Sequence, residues 1–190
     1  VKAPEDGSKG VPQVSFAVDA VLKGKLKEGA TLDVGGLHDA TRVSGATFQP
    51  GESLILILQH TKKGLQVPTP TFGRFPIRDG VVRFASLRDT YLRFDVPVGD
   101  FQTFIALHLG RKNDAWLKAL RADLAAGDPG TAKDAALMRL YLALESLAVV
   151  GVVSDRELIG RYLVSEGPFQ LRVSACRAAA HAAGAASAGR

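Results

Sequence analysis

The sequence predicts an α+β protein in which a β-rich N-terminal half precedes an α-helical C-terminal half. Two observations carry this reading: apolar residues alternate at every second position before Pro97, and recur at steps of three and four beyond it. Composition sets the bounds. With 46% hydrophobic and 23% charged residues among 190, the chain can bury a sizeable core and does not have the make-up of a disordered segment.

Residues 1–11 are polar with Gly and Pro and read as a flexible lead-in. Val14, Phe16, Val18 and Ala20 then alternate with Ser15, Ala17 and Asp19, the period of a half-buried strand. Lys23 and Gly24 end it in a turn. Thr31–Val34 makes a short second strand, stopped by Gly35-Gly36. The turn at Pro50-Gly51-Glu52 launches Ser53–Gln59, whose core from Leu54 to Leu58 is apolar on both faces and therefore reads as the central strand. Pro68, Pro70 and Pro76 mark 67–76 as an extended loop or an edge. Phe75–Ile77 and Val81–Phe84 flank Asp79-Gly80, the signature of a tight hairpin. A last strand is expected across Tyr91, Leu92, Phe94 and Val96.

Beyond Pro97 the spacing becomes helical. Phe101, Phe104, Ile105 and Leu109 form one stripe, ended by Gly110. Asp114 reads as the N-cap of a helix through Ala126, with Trp116, Leu117, Leu120 and Leu124 on one face. After the breaker Gly127-Asp128-Pro129-Gly130, Thr131 or Asp134 opens a long helix to Val150, ended by Gly151. Ser154 is expected to cap the next helix, and Gly167-Pro168 to start the last, which should end near Gly184. The expected domains are 12–97 and 98–184, with a frayed tail at 185–190.

The first domain carries a distinctive succession of pieces. Phe16–Gly24 is a strand closing in Leu-Lys-Gly, Thr31–Val34 is a short second strand, Phe48–Leu58 is a Gly-Glu turn running into an all-apolar strand, and Gly73–Ile77 is a late Gly-Arg-Phe segment. In this order the stretch 14–84 resembles the netrin/tissue-inhibitor-of-metalloproteinases-like OB barrel found in exported bacterial proteins. The resemblance implies an antiparallel β-barrel serving as a binding scaffold. The inhibitors of that superfamily chelate their target's zinc through an N-terminal cysteine. Here Val1 stands first and Cys176 is the sole cysteine, so that mechanism is not expected.

The second domain shows a faint internal correspondence. When Arg139 is laid on Arg172, Leu142 falls on Ala175, Ala143 on Cys176, Leu147 on Ala180 and Gly151 on Gly184. With Leu171–Cys176, these positions make the segment 131–184 resemble HEAT-like helical repeats, in which small residues let helices approach closely. Only about one and a half units are present, and stacked repeats need more neighbours than that to be stable. The alternative is two unrelated amphipathic helices in a small bundle.

A net charge of +5 is spread over both halves and forms no basic block. One cysteine excludes an internal disulfide and an all-cysteine metal centre; the Ala-rich surroundings of Cys176 suggest a small buried hydrophobe. His38, His60, His108 and His181 have no partner at ligand spacing, so no metal and no cofactor are expected. No nucleophile elbow or phosphate-binding loop is present. No apolar run is long enough for a membrane span. The Val1 start reads as a processed end or a trimmed boundary, and with the barrel resemblance it suggests a periplasmic or extracellular protein. The expected role is a non-catalytic module with a protein partner. The alternative is single-stranded nucleic-acid binding by the barrel, for which Phe72, Arg74, Phe75, Arg78 and Arg83 interleave aromatics with positive charge, and Lys23, Lys25, Lys27, Lys62 and Lys63 add to it.

Overall fold

The computed structural model describes residues 14–34, 51–62, 64–67, 73–85, 93–164 and 166–188. The chain divides into two compact units, Val1–Val98 and Gly99–Arg190. The protein is α+β: among the described residues, small antiparallel sheets in the first unit and five α-helices in the second.

In the first unit β1 (Val14–Ala17) pairs with β2 (Thr31–Val34), Val14 opposite Val34 and Ala17 opposite Thr31. β3 (Ser53–Leu56), β6 (Arg74–Arg78), β7 (Val81–Ala85) and β8 (Arg93–Pro97) form a four-stranded sheet in the order β3-β6-β7-β8. Between them β4 (Gln59–Thr61) and β5 (Gly64–Gln66) make a hairpin that the sequence did not announce, because polar Gln59, His60 and Thr61 show no alternation. Among the described residues these strands form three separate sheets, and none closes on itself into a barrel.

Among the described residues the apolar run from Leu54 to Leu58 does not form a central strand. β3 is an edge of its sheet among the described residues, pairing with β6 alone. Its apolar character on both faces has another origin. The chain leaves the strand after Leu56, where the Ile57 N–H donates to the Gly73 carbonyl at 2.8 Å. Ile55 is buried opposite Phe75, whereas Leu56 and Leu58 pack on a separate cluster of Val34 and Val67 with Phe16 and Leu32. One run thus serves two small cores.

The β6–β7 hairpin forms as expected. Asp79 and Gly80 both lie in the left-handed region, at φ 52° and 75°, which gives a tight turn whose twist matches that of the strands. The β6–β7 ladder begins only at Ile77, one residue past Pro76, which has no N–H to donate to it. Tyr91 and Leu92, expected in the last strand, lie outside the described residues, and β8 begins at Arg93.

In the second unit α1 spans Val98–His108, α2 Asp114–Ala126, α3 Asp134–Val150, α4 Arg156–Leu163 and α5 Phe169–Ala188. The N-cap of α2 is Asn113, not Asp114: its Oδ1 accepts the Trp116 N–H at 3.0 Å, and Asp114 becomes the first helical residue, where its charge suits the positive end of the helix. Ser154 caps nothing; it lies in a 3-10 turn, Val153–Asp155, that leads into α4. α3 is the central helix, and every residue from Leu142 to Leu147 is buried. Leu171, Ala175, Ala178 and Ala182 of α5 pack into the same core, together with Leu120, Leu124, Leu140, Leu144, Ile159 and Tyr162.

Two expectations about α5 are corrected. It continues through Gly184 to Ala188, because the alanines on either side sustain a helix that one glycine does not stop. Cys176 is exposed. The buried stripe runs through Leu171, Ser174, Ala175, Ala178 and Ala182, and Cys176 lies off it. In the alignment of α3 with α5, Leu142 and Ala175 are both buried, whereas Leu147 is buried and Ala180 exposed.

Candidate interaction surfaces

The described residues among the five singled out in the first unit serve different ends. The Arg74 guanidinium donates through Nη2 to both Glu52 carboxylate oxygens at 2.9 Å, tying β6 to the residue that precedes β3. Phe75, on the alternate face of β6, is 8% exposed and cannot offer a stacking surface. Arg78 is exposed and lines, with Pro76, Val81 and Asp95, a depression of about 150 Å³. Arg83 occupies the register position opposite Asp95 in β8, and Phe72 lies outside the described residues. The sheet therefore gathers Arg78 into a shallow hollow of mixed charge and keeps Arg74 and Phe75 for its own cohesion.

The ionic groups of the second unit are engaged in holding helices together. Arg139 of α3 donates to Asp123 of α2 at 2.9 and 2.6 Å and to Asp100 of α1 at 2.9 Å; Asp100 also accepts the Trp116 indole N–H at 2.8 Å. Glu145 is buried in α3 and accepts Ser174 and Arg177 of α5, each at 2.7 Å. Asp155, 4% exposed, accepts Arg121 at 2.7 and 3.0 Å and the Val152 N–H at 2.9 Å. Burial alone would raise the Asp155 carboxyl, but these bonds and the Arg121 charge outweigh it and hold it below the usual carboxylate range. At the C-terminus of α2, carbonyls left without helical partners are met by two neighbours on α4. The Tyr162 hydroxyl donates to Leu124 at 2.7 Å and Arg161 donates to Ala125 at 2.8 Å. Burial also pushes the Tyr162 phenol upward.

Against this satisfied interior stands an apolar edge. Where α4 gives way to α5, Val164 is 85% exposed, Phe169 64% and Leu163 36%. The Arg172 guanidinium sits 5.9 Å from the centre of the Phe169 ring, within cation–π range. The entry to α5 is held in place. Gly167 packs so closely on Pro129 that a Cβ there would collide with the Pro129 carbonyl, and Arg172 donates to the Gly167 carbonyl at 3.0 Å. Sequence reasoning missed this edge. Its one signal is a phenylalanine in the first turn of a helix, two residues ahead of the buried Leu171, where it falls off the core stripe.

His60 and His181 are exposed, His108 contacts the Phe104 carbonyl at 3.0 Å, and His38 lies outside the described residues. Among the described residues no three His, Cys, Asp or Glu side chains come together as a metal site would require, and no helix is long and apolar enough to cross a membrane. No family model matches the sequence, and no curated protein or solved structure matches it significantly.

Proposed function

We propose that this protein is a non-catalytic interaction module whose helical unit receives a protein partner at the edge formed by Leu163, Val164 and Phe169. The observation that carries the proposal is the exposure of Val164 and Phe169, 85% and 64%, well above that of Val152 and Val153, the other exposed large apolar side chains described in the unit apart from Leu163. Large apolar groups held rigidly in water gain free energy when a partner covers them. The Arg172 charge beside Phe169 favours a partner that brings a carboxylate next to its apolar group. An OB-like barrel for the first unit, HEAT-like repeats for the second, and a periplasmic or extracellular site of action belong to the same proposal, on the sequence resemblances alone.

Chemical cross-linking in the native extract tests it, comparing the wild type with Val164→Asp/Phe169→Ser. A partner cross-linked by the wild type and lost by the variant, at unchanged helicity and Tm, is the expected result. Capture of the same proteins by both would refute the docking edge. Steady turnover of a small substrate by the purified chain would refute the non-catalytic role.

Single-stranded nucleic-acid binding by the first unit is a second reading, favoured by the exposed Arg78 on the sheet and opposed by the burial of Phe75. It predicts salt-sensitive binding of a short oligonucleotide, weakened by Arg78→Ala.

A further inference from the structure

Between β1 and β2 the chain forms a loop with a closed neck. The Val18 N–H donates to the Ala30 carbonyl at 2.9 Å, and the Gly29 N–H to the Val18 carbonyl at 2.7 Å. The Ala30 N–H returns to the Lys27 carbonyl at 3.2 Å. Gly24, at φ 117°, turns the chain where a side chain would be strained. Beyond the neck every residue from Lys23 to Gly29 is exposed. The crest reads Lys23-Gly24-Lys25-Leu26-Lys27, with two exposed carboxylates, Asp19 and Glu28, on its flanks, and Leu26 is 38% exposed. A partly exposed leucine thus alternates in sequence with three exposed lysines on a loop whose base is already ordered.

We propose that this loop docks on an anionic lipid surface, with Lys23, Lys25 and Lys27 meeting headgroup phosphates and Leu26 entering the interface between them. Anionic leaflets attract clustered lysines, and a leucine at the headgroup boundary gains from leaving water. The closed neck lowers the ordering cost of binding, because less of the loop has to be fixed at that moment. A nucleic-acid strand would meet the same charges, but it binds through base stacking on aromatics. The crest has none, and the nearby Phe16 packs on the Val34–Val67 cluster. An exposed leucine amid the lysines suits a lipid boundary and would be wasted against a phosphodiester chain. Three lysines and one leucine give weak, salt-sensitive attachment. This proposal is independent of the docking edge on the helical unit.

The test uses the full chain with vesicles of equimolar phosphatidylglycerol and phosphatidylcholine, against phosphatidylcholine alone. Co-sedimentation with the anionic vesicles only, lost at high salt, is expected. Lys23→Gln/Lys25→Gln/Lys27→Gln should weaken it on the order of a hundredfold, about fivefold for each lysine. Leu26→Trp, read as the difference from the wild-type emission, should shift to the blue on anionic vesicles. Absence of binding to either vesicle, equal binding to both, or a Trp at position 26 that stays in a fully aqueous environment would each overturn the proposal. So would tighter, Leu26-independent binding of a single-stranded oligonucleotide, which would reassign the lysines to nucleic acid.

Discussion

At the scale of single residues, the helical unit shows what an arginine does that a lysine cannot. Arg139 reaches two carboxylates from two different helices, because a planar guanidinium offers donors in a fork. Arg121 and Asp155 make the more consequential pair, since Asp155 is buried. Replacing Asp155 with Asn is expected to cost about 2 kcal/mol at neutral pH, the value of charge-assisted hydrogen bonds lost in a partly buried site, measured by urea unfolding. The pH dependence has a definite sign. Asp155 lies below its ordinary pKa in the folded state, so its contribution is present above about pH 4 and disappears as the pH falls through the lower, folded-state value. Wild type and Asp155→Asn should therefore converge in stability as the pH falls below about 4; curves that stay parallel on acidification would refute the assignment. Cys176 supplies a second residue-scale check. Being exposed on α5, it should react with a thiol reagent in the native protein without prior unfolding. Protection until denaturant is added would contradict its placement.

At the scale of elements, two glycines fulfil different demands. Gly80 closes the β6–β7 turn at φ 75°. Gly80→Val is expected to destabilise by about 1–2 kcal/mol, because a side chain in the left-handed region crowds the following carbonyl. Gly167 lies where the chain approaches Pro129, and a side chain there meets backbone that cannot rotate away. Gly167→Ala should therefore lower the Tm of the helical unit, whereas Gly160→Ala on α4, with open space around the position, should leave it unchanged or raise it. Thermal unfolding followed at the helical circular-dichroism band separates these outcomes. The hairpin was legible in the sequence because Asp-Gly between alternating strands has one favoured geometry. The end of β3 at Leu56 was not, because an apolar run looks the same whether it is buried on two faces of one sheet or shared between two cores.

At the scale of the whole molecule, the two compact units carry separable expectations. Gly99–Arg190 encloses its own core around Leu144, Leu147, Ile159 and Tyr162, and a domain with its own core folds alone. Expressed by itself, 99–190 is expected to be helical and to unfold cooperatively. A fragment with no unfolding transition would show that its stability is borrowed. Within that unit the candidate docking edge owes its position to the turn from α4 to α5, and the lysine loop of the first unit owes its shape to the Val18–Ala30 neck.

The amino-acid sequence alone determined the change from strand to helix at Pro97, the Asp79-Gly80 hairpin and the extent of α2 and α3, because periodicity and turn chemistry act over a few neighbouring residues. Tertiary structure decided the rest: that Arg74 and Phe75 are spent on internal contacts, that Cys176 faces solvent, and that Val164 and Phe169 are uncovered. In an alanine-rich helix nearly every face looks equally apolar, so only the neighbours packed against it determine which side is buried. A site assembled from exposed side chains therefore becomes visible only once those neighbours are in place.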